Sequence, residues 1–305
     1  MKAFRHGMAL VAGAGLLAGL SGCANPSSSG ANVEANDVGP AVENTVNEDI
    51  AGMVPEDIRS AGKFTVAINP DIAPVKFLDS NGEVAGLNPE LLEAAGEVMD
   101  LDVAFQEATF DALVPGLEAE RFDVIASIGD FKERQGKIDF IDYLTTGSAL
   151  LVAADHEKDE LAEADMCGMK LSFVRGTYQQ GQIESINKDC TTNGSEAIEA
   201  TGYGDANGAL LSVKSGQADG FWGDLQQLAY NEKTNPELYK VAAKDASGPY
   251  GIGINKENAE FRDALQAALL ELVENGTYEQ TLEKWGQTEF AMPEMPLNTG
   301  GSMEG

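Results

Sequence analysis

Short apolar runs with strand character alternate along the chain with stretches in which apolar residues recur three and four positions apart. Phe64–Ile68 reads as a buried strand. Asn88 is placed to cap a helix that has Pro89 at its first position and runs to about Met99. Val103–Phe105 returns to strand, Phe110–Glu118 is helical with Leu113, Val114 and Leu117 on one face, and Asp123–Ser127 is a strand again. A second set follows: strand Lys170–Val174, a helix from about Thr177 to Asn187, helix Ala206–Ser215, and the short strand Gly220–Trp222. Helix Leu225–Asn231 and strands Tyr239–Ala242 and Gly251–Ile254 come next. Phe261, Leu265, Leu269 and Leu272 mark an amphipathic helix to about Glu274, and Gly276 precedes a last helix through Trp285. Such βαβα order predicts an α/β protein with mainly parallel sheets covered by helices.

The two ends follow a different logic. Lys2 and Arg5 precede an apolar run, Met8–Leu20, of small residues. It falls short of the roughly 18 residues that a membrane span needs, and it has the length of a secretory signal core. Residues 1–22 are therefore expected to be a signal peptide. Asn25-Pro-Ser-Ser-Ser-Gly30 opens a polar, acidic stretch without periodicity, so residues 23–57 read as a flexible tether. Residues 291–305, with Pro293, Pro296 and Gly300-Gly301, read as a flexible tail.

The formal net charge of −30 repels phosphate backbones, which makes nucleic acid a poor partner. The only histidines are His6, inside the leader, and His156. That excludes a multi-histidine metal site and leaves one imidazole for any triad. No metal, cofactor or catalytic set is expected.

Leu20-Ser21-Gly22-Cys23 resembles the bacterial lipoprotein box. The resemblance implies cleavage before Cys23 and lipid on its sulfur, which holds the chain at the extracytoplasmic face of the cell membrane. Cys167 and Cys190 then remain as an even pair outside the reducing cytosol and are expected to form a disulfide.

Five stretches carry a wider resemblance. Phe110-Asp-Ala-Leu-Val-Pro-Gly-Leu117 leads into Phe122-Asp-Val-Ile-Ala-Ser127. Lys132-Glu-Arg134 precedes Ile138-Asp-Phe140 and Tyr143. Val174-Arg-Gly-Thr177, Gly216–Asp224 and Tyr250–Lys256 complete the series. In this order and spacing, residues 63–286 resemble the family 3 extracellular solute-binding proteins, the polar amino-acid receptors of ABC importers. The resemblance implies a two-lobed periplasmic-binding-protein-like (type II) fold, with two mainly parallel sheets joined by two crossing strands. Lobe 1 would hold residues 58–150 and 250–290, and lobe 2 residues 154–246, with both cysteines in lobe 2.

The residue chemistry fits a zwitterionic ligand. Arg134 lies just beyond a strand end, where open α/β sheets place ligands, and a guanidinium grips a carboxylate with two parallel hydrogen bonds. Alone it also reads as a surface residue paired with Asp130 or Glu133; the resemblance implies carboxylate binding. Thr177 is expected to cap the next helix and to offer a carboxylate the N–H groups there. Asp224 reads as a helix cap, and the resemblance makes it the ammonium partner. Ser127 adds a polar contact, Phe110 an apolar one. Ile72 falls where the family carries a stacking aromatic, and Gly129 and Asp130 stand where it has small hydroxyl residues. Asp71 and Asp130 are the candidates for selecting a basic side chain. Trp222 reads as core, Asp155–Glu160 as a solvated loop, and Asp219 as an organiser of strand entry.

The implied function is an anchored monomer that captures an amino acid or close relative for an ABC permease. Two other readings share the fold: a secreted enzyme like the cyclohexadienyl dehydratases, and a receptor serving a sensor protein.

Overall fold

A computed structural model describes residues 33 and 35–302. Cys23 and the leader lie outside the described residues. Within them no helix is long and apolar enough to cross a membrane.

The chain enters through two short helices, α1 (Glu48–Ala51) and α2 (Glu56–Ala61), and then forms strand β1 (Lys63–Ile68). A small three-stranded antiparallel sheet follows, made of β2 (Asp71–Ile72), β3 (Lys76–Leu78) and β4 (Val84–Ala85). Helix α3 (Leu87–Met99), β5 (Asp102–Glu107), α4 (Phe110–Glu118), β6 (Val124–Gly129) and the single turn α5 (Lys132–Gln135) complete this part. Strand β7 (Ile138–Ala153) then leaves the first lobe for the second. There β8 (Lys170–Val174), α6 (Tyr178–Thr192), β9 (Glu199–Tyr203), α7 (Ala206–Lys214), β10 (Gly220–Asp224) and α8 (Leu225–Thr234) follow in order. Strand β11 (Tyr239–Asn255) returns to lobe 1, which α9 (Ala259–Glu274) and α10 (Thr277–Lys284) finish.

The two crossing strands explain the topology. The first half of β7 pairs with the second half of β11 in lobe 1, Ile138 opposite Asn255 and Leu144 opposite Tyr250. Their other halves pair in lobe 2, Ser148 opposite Asp245 and Ala153 opposite Tyr239. On one side β6, β1 and β5 add as a parallel set, and on the other β10, β8 and β9 do the same. The expected two sheets are thus one continuous eight-stranded sheet, parallel at both ends and antiparallel where the crossing strands join it. A register shift between Asp245 and Gly248 marks the passage between lobes.

Each lobe buries apolar side chains on both faces of its sheet. In lobe 1, Phe64, Leu91, Phe261 and Leu269 pack on one face, and Leu113, Leu117, Ile125 and Phe140 on the other. In lobe 2, Leu151, Leu210 and Phe221 oppose Leu150, Ile183 and Trp222. Cys167 and Cys190 are bonded, with Cα atoms 5.6 Å apart, and tie the approach to β8 to the end of α6. Asp219 accepts from the Lys170 N–H at 2.7 Å and so orders the entry to β10, as expected.

Three local expectations are corrected. Helix α3 begins one residue before Asn88, with Gly86 as its cap at φ 121°, where a Cβ would lie 2.7 Å from the Val75 carbonyl oxygen. Asn88 is buried inside the first turn instead. The tether is shorter than expected, because Ile50, Val54 and Ile58 insert into the lobe 1 core and Asn36 N–H donates to the Lys284 carbonyl at 2.8 Å. The tail is not free. The lobe 1 half of β7 has no strand beyond it, and residues 291–300 lie along that edge, with Leu297 bridging to Ile141 and Ala291 to Leu144. Met295 is fully buried beneath this strap. Covering an open strand edge satisfies its backbone groups.

Candidate functional site

A cleft of about 690 Å³, its mouth included, lies between the lobes. Asp71, Ile72, Phe110, Ser127, Gly129, Arg134, Thr177 and Asp224 all line it. Eight of the nine candidate ligand residues read from the sequence are thus brought together in one place, Asp130 being the exception. Most of them sit where a strand ends or a helix begins, at the ends of β6, β8 and β10, as open α/β sheets arrange their ligand sites.

Arg134 projects from α5 in lobe 1. Its guanidinium donates to the Gly129 carbonyl at 2.7 Å and, across the cleft, to the Gly176 carbonyl at 3.4 Å. The Phe110 and Phe131 rings flank it, their centroids 5.6 and 5.4 Å from its central carbon, in cation–π contact. Burial brings its pKa down to about 10, against the opposing pull of Asp130 and Glu133, so it remains a cation. Among the described residues it forms no ion pair: Asp130 accepts from Gln135 and the Gly300 N–H, and Glu133 accepts from Ser302. Gly129 is held close to its neighbours, since a Cβ there would meet the Phe131 ring at 2.5 Å.

Asp224 ends β10 and caps α8, its Oδ1 accepting from the Gln227 N–H at 3.1 Å. Its Oδ2 accepts from the Thr146 hydroxyl at 3.3 Å and from the Tyr250 hydroxyl. Burial pushes its pKa up, and these hydrogen bonds together with the charge of Lys76 pull it back. Tyr250 is held well above its ordinary value by burial and then by Asp224.

Thr177 is the N-cap residue of α6, as expected, but its side chain makes no cap hydrogen bond. Its hydroxyl donates to the Val174 carbonyl at 2.7 Å, and no side chain accepts from the helix N–H groups in its place. The first turn of α6, through Tyr178 and Gln179, borders the cleft. Ser127 is fully buried at the cleft wall, its hydroxyl shared with Tyr143 at 2.7 Å. Asp71 reaches across the cleft: Oδ2 accepts from the Ala206 N–H of α7 at 3.1 Å, while Oδ1 accepts from Asn69 at 2.6 Å. Gln227 of lobe 2 donates to the Asp71 carbonyl.

Asp130 does not face the cleft. It is buried toward the strap, beside Asp142, and is corrected as a candidate for selecting a basic side chain. Trp222 belongs to the lobe 2 core, as expected, yet one face also lines the cleft, with its indole N–H donating to Gln182 at 3.0 Å. His156 sits in the turn just after β7 in lobe 2, away from the passage between lobes and outside the cleft. Among the described residues no cluster of three or more histidine, cysteine or acidic side chains could hold a metal ion.

Sequence reasoning missed Asn69, Phe131, Thr146, Tyr178, Gln179, Gln227 and Tyr250, which also line the cleft. Thr146 and Tyr250 lie within the crossing strands, whose role depends on pairing across about a hundred residues of chain. The Phe131 and Tyr178 rings, from opposite lobes, stack at 4.5 Å and 25°.

Comparison with known proteins agrees with this geometry. Residues 64–288 match the family model for bacterial extracellular solute-binding proteins, family 3. The chain is 28% identical over 253 residues to the arginine-binding protein ArgT of Corynebacterium glutamicum, covering 82% of this chain and 83% of that protein. It is 27% identical over 232 residues to the L-cystine-binding protein TcyA of Bacillus subtilis, covering 75% and 82%. A solved structure of an ancestral arginine-binding protein bound to arginine superposes with a TM-score of 0.68 at 25% identity, over 73% of this chain and 98% of that one. These relatives are named as binding proteins, and the family is extracytoplasmic. With two lobes, two crossing strands and a lined cleft between them, the chain belongs to the bacterial extracellular solute-binding proteins, family 3.

Proposed function

We propose that the cleft captures a free amino acid, or a close relative, as a zwitterion and that the chain delivers it to the permease of an ABC importer. The carboxylate goes to Arg134 and the first turn of α6 at Thr177, and the ammonium goes to Asp224. Ser127 and Gly129 border the backbone end of the ligand, and Phe110 and Ile72 pack its side chain. The observation that carries this reading is the pairing of wall chemistries. A cation with no carboxylate partner among the described residues stands on one lobe and a buried carboxylate on the other, facing one cleft.

No bond is made or broken. Closure removes water from both ion pairs and strengthens them, so ligand binding shifts the lobes toward the closed arrangement. The expected lipid at Cys23 would hold the receptor beside its permease, and one chain carries the whole site.

Calorimetric titration of amino acids into the parent, Arg134→Ala and Asp224→Ala tests the reading, with folding checked by circular dichroism. Stranding a ligand charge in a closed site costs about 2–5 kcal/mol. That corresponds to roughly thirty-fold to a few thousand-fold in affinity. Folded variants that bind like the parent would remove Arg134 and Asp224 from the site.

A further inference from the structure

Lys76 lies on β3 with no exposed surface, directly behind the cleft wall. Its ammonium donates to the Ser127 carbonyl at 2.7 Å and to the Asn69 side-chain oxygen. The amide of Asn69 in turn donates to Asp71, so a hydrogen-bonded chain runs from Lys76 through Asn69 to a carboxylate in the cleft. Among the described residues no carboxylate lies within ion-pair distance of Lys76. A buried cation is costly unless opposite charge sits nearby, and the charges that hold it are those of Asp71 and Asp224. Burial brings the Lys76 pKa down to about 8, which leaves it mainly charged at neutral pH.

We propose that Lys76 is a specificity-determining residue that balances the cleft carboxylates and restricts the ligand to zwitterions with an uncharged side chain. The inference rests on the amino-acid reading of the cleft and deepens it. Arg134 and Lys76 supply two positive charges, and Asp71 and Asp224 two negative ones. A neutral zwitterion leaves that balance intact, whereas a basic side chain adds a positive charge with nothing to meet it.

The carboxylate geometry points the same way. Asp224 is assigned to the ammonium. Both oxygens of Asp71 already accept hydrogen bonds, from Asn69 and from the Ala206 N–H. Asp130 is turned away toward the strap. Among the described residues no other acidic side chain lines the cleft. Beyond Asp224, a guanidinium or second ammonium would find only Asp71, whose oxygens already accept from Asn69 and Ala206 and whose charge Lys76 balances, while Ile72, Phe110, Phe221 and Trp222 give an uncharged side chain an apolar and aromatic bed.

The test is a thermal-shift and calorimetric panel of the proteinogenic amino acids on the full chain at neutral pH, with Lys76→Met, Asp71→Asn and Arg134→Ala alongside. The parent is expected to bind an uncharged amino acid tightest, at least about tenfold tighter than arginine or lysine. In Lys76→Met, arginine and lysine are expected to gain at least about tenfold relative to that ligand. Should Lys76→Met fail to fold, Asp71→Asn carries the test: it adds net positive charge, so arginine should lose further ground and glutamate should gain. Arg134-dependent binding in the parent that is tightest for arginine, lysine or an acidic amino acid overturns the role of Lys76 and leaves the receptor reading standing. An unchanged arginine preference in both variants does the same. If no amino acid binds, or binding persists undiminished in Arg134→Ala, the receptor reading falls and this inference falls with it.

Discussion

The ring of Phe131, on lobe 1, stacks on the ring of Tyr178, on lobe 2, at a centroid distance of 4.5 Å. Phe131 also flanks the Arg134 guanidinium, so the contact that joins the lobes is continuous with the cation of the cleft. Closure therefore builds part of the site's wall as well as shutting it.

This relationship makes Tyr178 a latch. Such a stack contributes about 0.5–1.5 kcal/mol beyond the area it buries. Tyr178→Ala should weaken ligand binding by about tenfold, mainly through faster dissociation. Stopped-flow release of bound ligand checks this, and an unchanged off-rate would show that the stack does not hold the cleft shut.

The strap should respond to pH. Asp142 accepts from the Thr299 N–H at 2.9 Å and from its hydroxyl at 2.6 Å, while burial, opposed by these bonds, and the neighbouring Asp130 carboxyl leave its pKa at about 7. The free side chain titrates near 3.9. Between about pH 4 and 7 the folded chain therefore holds a proton that the unfolded chain releases, and stability falls as pH rises through that window. Asp71 and Asp224, also raised, act with the same sign. Asp142→Asn should flatten part of the slope in denaturant titrations between about pH 4 and 7, and a slope identical to the parent's would rule out Asp142 as a source.

The lipid anchor gives a third expectation. Cys23→Ser should block lipid attachment, so the protein appears in the soluble fraction or keeps its leader. Mass spectrometry of the N-terminal peptide reads both outcomes. A serine variant that is cut at the same bond and stays with the membrane would contradict the assignment of Cys23.

The sequence made the helices and short strands legible wherever the period was local. Phe261, Leu265, Leu269 and Leu272 declare α9 by spacing alone. The long strands β7 and β11 were not legible as such, because each is buried in two different lobes and shows no single alternation. The strap and the entry segment misled for a related reason. Their proline, glycine and polar residues have the composition of linkers, yet Met295, Ile50 and Val54 each place one side chain in the core. For the site, Arg134 and Asp224 lie beside strand ends, but each alone reads also as a surface ion-pair residue or a helix cap, and the family resemblance carried their ligand roles. Lys76 did not, because its meaning lies in burial behind the wall, and Asp130 suggested a cleft that it does not face.

The crossing strands also set an order of assembly. Every strand and helix of lobe 2 lies between the two crossings, in one unbroken stretch of chain, whereas lobe 1 takes β1 and β6 from before that stretch and its half of β11, α9 and α10 from after it. A chain made from its N-terminus has the whole of lobe 2 available before the last third of lobe 1 exists. Lobe 1 must then wait, half-built, for the returning strand, and the strap that seals its edge is the final piece to arrive.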